Sequence, residues 1–146
     1  MFTSIYTQAL AIATILVCGI AIWKGGKLEQ HGAGACLVAF MASLVAQSAT
    51  PAQATSFVWL VIDFLFMCTL GFLGWRGGKA WPILGAGFLL LSVAVHVVWL
   101  VDIKIGAFAY MTATNVAAYA VLGTIAWGTF ESWREQIALG GVRPDA

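Results

Sequence analysis

The sequence predicts an all-α integral membrane protein: a compact bundle of about five transmembrane helices, N-terminus outside and C-terminus cytoplasmic. Three observations predict it. Hydrophobic residues make up 62% of the 146 and charged residues only 9%, against roughly 25% charged in a soluble domain. So few charges cannot cover a soluble surface. Five apolar segments recur, each near the ~20 residues that cross a hydrocarbon core. Of the seven Lys and Arg residues, six follow alternate segments: Lys24 and Lys27 the first, Arg76 and Lys79 the third, Arg134 and Arg143 the last. Only Lys104 falls elsewhere. Basic residues are retained on the cytoplasmic side, which sets the orientation.

The first segment, Ile5–Trp23, begins within the N-terminal stretch MFTSIYTQ. That stretch lacks the basic residue of a cleaved secretory signal, so a retained span is expected. Cys18 lacks the small residue that precedes a lipidated cysteine. The second segment, Gly32–Ser48, is the shortest and would cross with little tilt. Ala35, Ala39 and Ser43 give it a small-residue face suited to close helix packing, as Ala113 and Ala117 do for the fifth. The third and fourth are Thr55–Trp75 and Trp81–Val101. The fifth is Ala107–Phe130. Their joints are short. KGGKLEQH and RGGKA hold charges, SATPAQA holds Pro51, and VDIKIG holds Asp102 and Lys104. Sequential segments are therefore antiparallel neighbours. In lipid every backbone polar group must be satisfied internally, which leaves helices for runs this long.

Residues 1–130 form the predicted bundle and 131–146 a short cytoplasmic tail. The tail opens as a continuation of the fifth helix, with Phe130, Trp133 and Ile137 on one face. Gly140-Gly141 should end it. Trp23, Trp75, Trp81, Trp127 and Trp133 flank the inner ends, and Trp59, Trp99, Tyr6 and Tyr110 the outer ends. Two interfacial aromatic belts are expected. A short repeat is also visible. Trp23-Lys-Gly-Gly-Lys27 matches Trp75-Arg-Gly-Gly-Lys79, and Gly32-Ala-Gly34 matches Gly85-Ala-Gly87. It suggests two parallel hairpins, although tight cytoplasmic turns favour the same residues.

Asp63 is the one carboxylate well inside a segment, eight residues past Thr55, or ~12 Å deep at 1.5 Å per residue. A charge there costs several kcal/mol unless it is paired, hydrated or neutral. Asp63 and His96 lie 16 and 17 residues from Lys79, so an antiparallel hairpin sets them at one depth. Trp59 and Trp99 fall one turn further out and flank them. Asn115 on the fifth segment and Ser43 on the second reach the same half. The candidate intramembrane site is therefore Ser43, Asp63, His96 and Asn115, either as interhelical glue or as a protonatable site. Imidazole titrates near neutral pH, so an Asp–His pair can exchange a proton.

A net charge of +1 without a basic cluster argues against nucleic acid as a partner. The three cysteines, Cys18, Cys36 and Cys68, form no CxxC pair, so no metal site or disulfide framework is expected. No nucleophile elbow, phosphate loop or dinucleotide fingerprint occurs, and no catalytic set is assigned. No cofactor is expected, haem on His96 being a weaker reading. The leading functional reading is a non-catalytic subunit or accessory factor of a membrane complex, in a bacterial inner (plasma) membrane. Its partners would be the lipid bilayer and other membrane subunits or further copies of itself. The alternative is a small oligomeric transporter or channel using the Asp63–His96 pair. A membrane enzyme comes third.

Overall fold

The computed structural model describes residues 5–49, 52–101 and 106–139, without the side chains of 5–7 and 52–55. Every described element is an α-helix: α1 (Ile5–Lys24), α2 (Lys27–Ala49), α3 (Ala52–Gly77), α4 (Ala80–Val101) and α5 (Ala107–Leu139). Helices α2 to α5 are long and apolar enough to cross a membrane. The described apolar part of α1, Gln8–Lys24, is shorter. Pro51, Asp102, Lys104, Arg143 and Gly140-Gly141 lie outside the described residues, as does the Tyr6 side chain.

Consecutive helices pack side by side, α5 returns to α1, and α2 touches α5 across the middle. The five helices therefore close into a ring. Large apolar side chains such as Leu16, Val38, Phe64, Phe72 and Leu90 point outward, while small residues such as Cys18, Ala21, Ala33 and Ala117 lie buried between helices. A soluble protein rarely exposes so much apolar surface. It is compatible with membrane insertion, where lipid tails are as apolar as leucine.

The end carrying the α1–α2 and α3–α4 joints, here the basic end, is closed by specific contacts. Gly25 N–H bonds Ala21 O at 2.9 Å, and the Gln30 amide reaches back to Ile22 O at 3.2 Å and Gly25 O at 3.3 Å. These bonds satisfy carbonyls that the end of α1 leaves free. Gly78, at φ 62°, bonds Gly74 O at 3.0 Å. A left-handed residue just past a helix is the usual place for glycine.

Several boundaries differ from the sequence reading. Helix α2 starts at Lys27 rather than Gly32, so Glu29, Gln30 and His31 are helical instead of lying in a joint. The reason is that Gln30 caps α1 and Glu29 bonds α4, both from the first turns of α2. Helix α3 runs to Gly77. Helix α5 runs to Leu139, so the tail is helical that far.

The aromatic belts also need correction. Trp23 and Trp75 are 83% and 91% exposed, but Trp81 is 1% exposed and Tyr110 is 6%. Trp81 fills the basic end. A Cβ on Gly32 of α2 would lie 2.5 Å from its Cη2, and a Cβ on Gly128 of α5 would strike its five-membered ring. Only glycine on both sides leaves room for the indole. Its Nε1–H donates to Glu29 Oε1 at 3.2 Å, and Glu29 is itself buried. Two outer contacts tie the same end together. Lys79 Nζ donates to Glu135 Oε2 at 2.8 Å, and Lys24 Nζ sits 4.7 Å from the Trp133 ring centroid. The hydrogen bond to Glu135 holds the Lys79 amine above its ordinary range. Desolvation opposes it, and the charges of Glu135, Glu29 and Glu131 add to it.

The glycines of the short repeat behave alike. Gly32 and Gly85 are both close-packing positions, Gly85 against Leu70 and Thr124, while Gly34 and Gly87 face open space.

Candidate functional site

The polar residues of the opposite end form a chain across three helices. Ser92 Oγ donates to Asp63 Oδ2 at 2.5 Å. His96 Nε2 lies 3.2 Å from the same oxygen. The other ring nitrogen, Nδ1, is 2.6 Å from the Tyr110 hydroxyl. The Ser56 hydroxyl in turn hydrogen-bonds Tyr110. Helical spacing explains the assembly. Ser92 and His96 are i, i+4 on α4, and Ser56 and Asp63 are i, i+7 on α3, so each pair shares a face. Tyr110 comes in from the first turn of α5. Its ring meets His96 edge-on at 5.4 Å.

This chain borders a cavity of about 300 Å³ to which all five helices contribute, including Thr14, Ser43, Asp63, His96 and Asn115. It extends from Gln47 and Met111, near the cavity end, to Leu89 and Leu122 in mid-bundle. Small-molecule sites begin at about this size. His96 is almost wholly enclosed, at 3% side-chain exposure, whereas Asp63 retains 24%. Among the described residues, the carboxylate is thus the charged group that the cavity reaches, and no Lys or Arg lines it.

The hydrogen bonds define a proton count. With Asp63 ionised and His96 neutral, Nε2–H donates to Asp63 and Nδ1 accepts from Tyr110. Every donor then points toward the carboxylate, and the assembly carries one negative charge. An added proton has two places to go. On His96 it makes both nitrogens donors, and Tyr110 can turn its O–H toward Ser56. On Asp63 it neutralises the carboxylate. The alternative to this pairing, a bare carboxylate at the centre of a bilayer, costs about 2.5–3.5 kcal/mol on insertion scales. A hydrogen bond to a charged group returns about 1.5–3 kcal/mol, so two donors offset that cost.

The structure brings Asp63 and His96 into direct contact and places Ser43, Asn115 and Trp59 on the same cavity wall. It does not join them into one network. Ser43 Oγ donates to Ala39 O of its own helix at 2.9 Å. Trp59 Nε1 is 3.5 Å from the Ser43 carbonyl. Among the described residues no hydrogen bond links Asn115 to the pair. Trp99 departs from the expected flank. It is absent from the cavity wall and stacks on Tyr110 at 4.7 Å. Three residues along a helix turn a side chain to one side of His96, here toward α5. Both ring nitrogens of His96 are engaged, so haem ligation would require one of these bonds to break. Among the described residues no group of three His, Cys, Asp or Glu could hold a metal ion.

Sequence reasoning missed Ser56, Ser92 and Tyr110. The signal for Ser92 was present, as the one hydroxyl a turn before His96. Tyr110 resembled a belt residue because it stands near a helix end.

Comparison of the chain with protein-family models, with curated proteins and with solved structures finds no match in any of the three. The fold and the site alone define the class: a small helical bundle with helices able to span a membrane and a carboxylate–imidazole pair on the wall of a half-open cavity.

Proposed function

We propose that this chain is an integral membrane protein of five spans in a bacterial inner membrane, N-terminus outside, and that its cavity is a protonatable ligand site reached from the outer side. The observation that carries the reading is a carboxylate held by two donors on the wall of a cavity of about 300 Å³. The clustering of Lys24, Lys27, Arg76 and Lys79 at the opposite end supports the orientation. Asp63 and His96 exchange a proton, and Tyr110 relays the resulting change of hydrogen-bond direction.

This favours the small transporter or channel over the accessory subunit. A purely structural subunit has no use for a charge facing an internal space. The small-residue face on α2 does not supply a free docking surface either, since Ala35 and Ala39 already pack against the core. Passage of a ligand to the cytoplasm requires movement at the Trp81 plug or a pathway shared with a second copy.

The test is proton uptake by the purified full-length chain in liposomes after a pH step from about 8 to about 5, the range in which histidine chemistry operates. Wild type is expected to take up about one proton more than Asp63→Asn. Equal uptake by the two contradicts the reading.

A further inference from the structure

Resting on that reading, we infer that the cavity takes a monovalent organic cation with apolar substituents, an amine or quaternary ammonium, with Asp63 as its counter-ion. Charge is the first argument. Among the described residues, Asp63 is the one carboxylate on the cavity wall, and neither Lys nor Arg balances it there. With the imidazole neutral and its proton on Nε2, Tyr110 donates to Nδ1 and His96 to Asp63, and the charge rests on the carboxylate. An anion is repelled by this arrangement, and a neutral ligand gains nothing from it.

The second argument is the rest of the wall. Phe40, Trp59, Phe66 and Tyr110 bring aromatic rings from three helices to the same space. Aromatic faces attract cations, most strongly where water is excluded, and this is how quaternary ammonium groups are held. The nearby hydroxyls do not converge on a point. Thr14, Ser43 and Thr114 each donate to a carbonyl of their own helix, at 2.8, 2.9 and 3.1 Å. A hard metal ion needs six or more oxygens arranged around it. A carboxylate set among rings and alkyl groups suits an organic cation instead.

The third argument joins ligand to proton. A cation and a proton compete for one carboxylate. Binding to the protonated pair places the ammonium beside Asp63 and releases one proton to solvent, so total charge in the cavity is conserved. Besides the Asp63–His96 pair, the titratable groups facing this space among the described residues are Tyr110 from α5 and Cys36 from α2. The described lining residues of α1, Leu10 and Thr14, contribute none. The exchange is therefore one cation for one proton.

The experiment is calorimetric binding to the purified full-length chain in detergent with three probes of similar size: benzyltrimethylammonium, its uncharged carbon analogue neopentylbenzene, and benzenesulfonate. The cation is expected to bind wild type at least tenfold more tightly than either other probe. Its affinity should fall at least tenfold on acidification from about pH 8 to about pH 5, and about one proton should be released per cation bound at the lower pH. Asp63→Asn should lose the preference for the cation, and Trp59→Leu should weaken cation binding. Equal affinity for the cation and its uncharged analogue in wild type overturns the inference without relying on any variant. So does unchanged cation affinity in a folded Asp63→Asn protein. Proton uptake by wild type beyond that of Asp63→Asn, with no cation binding, also overturns it while sparing the proton-exchange reading. The absence of that extra uptake counts against the proton-exchange reading itself.

Discussion

The two ends of this bundle use the same kinds of residue to opposite effect. At the basic end a carboxylate and an indole, Glu29 and Trp81, meet across α2 and α4 with Gly32 and Gly128 pressed against the ring. At the cavity end Asp63 sits near another indole, Trp59, but the surrounding positions leave about 300 Å³ unfilled. One end is a plug and the other a vessel. The difference lies in what surrounds the carboxylate. Glu29 is sealed by an aromatic ring and has no space before it. Asp63 is held from one side by Ser92 and His96 and keeps the other side open. A buried polar group that fills its niche contributes to packing, while one that borders empty space is available to a ligand.

That contrast can be broken most severely at the plug. Trp81→Ala removes a fully buried indole and should cost about 3–5 kcal/mol of stability, read as a large fall in thermal midpoint in detergent. Gly128→Ala tests the same seal from the other side. Its new methyl meets a ring that Gly32 prevents from retreating, and a loss of about 1–3 kcal/mol is expected. A wild-type midpoint for Gly128→Ala would mean that the plug is loose.

The vessel should respond more mildly in stability and more strongly in chemistry. Tyr110→Phe removes the donor to His96 Nδ1 and should cost about 0.5–1.5 kcal/mol. It should also slow or shift the proton uptake of the pair, measured in the same liposomes. Asp63→Asn keeps the shape and removes the buried charge, so its midpoint should lie within about 1 kcal/mol of wild type while extra proton uptake is lost.

The smallest effect belongs to the exposed rim of the plug. Lys79→Ala should cost about 0.2–1 kcal/mol, as surface ion pairs do. Because the amine is raised in the folded state, its contribution is whole below the ordinary lysine value of 10.5. It is lost as pH climbs through the raised value. The midpoint difference between wild type and Lys79→Ala should therefore vanish in strong alkali.

Much of this architecture was legible in the residues. Hydropathy located every helix, because each is a long apolar run bounded by a short, more polar joint. The nearly equal distances of Asp63 and His96 from Lys79 placed both at one depth, because a tight antiparallel hairpin fixes the register. Other features were not legible. Glu29 lay among charged residues and read as part of a joint, since nothing local revealed that Trp81 would turn inward to meet it. Trp81 and Tyr110 looked like belt residues because position along a helix gives depth but not which face turns inward. Trp99 was assigned to the wrong side of α4 for the same reason. The cavity was invisible altogether, because it is the shortfall of five packed faces rather than a property of any one.

If Asp63 and His96 form one proton-exchanging unit, the ring nitrogens of His96 report its state, and NMR reads them. With His31→Gln, His96 is the one histidine left of two, so its signals need no further assignment. The ring should be neutral and protonated on Nε2 at about pH 8, with a response on acidification to about pH 5 that Asp63→Asn alters. A ring protonated on Nδ1, or a response identical in Asp63→Asn, would contradict the proton-exchanging unit.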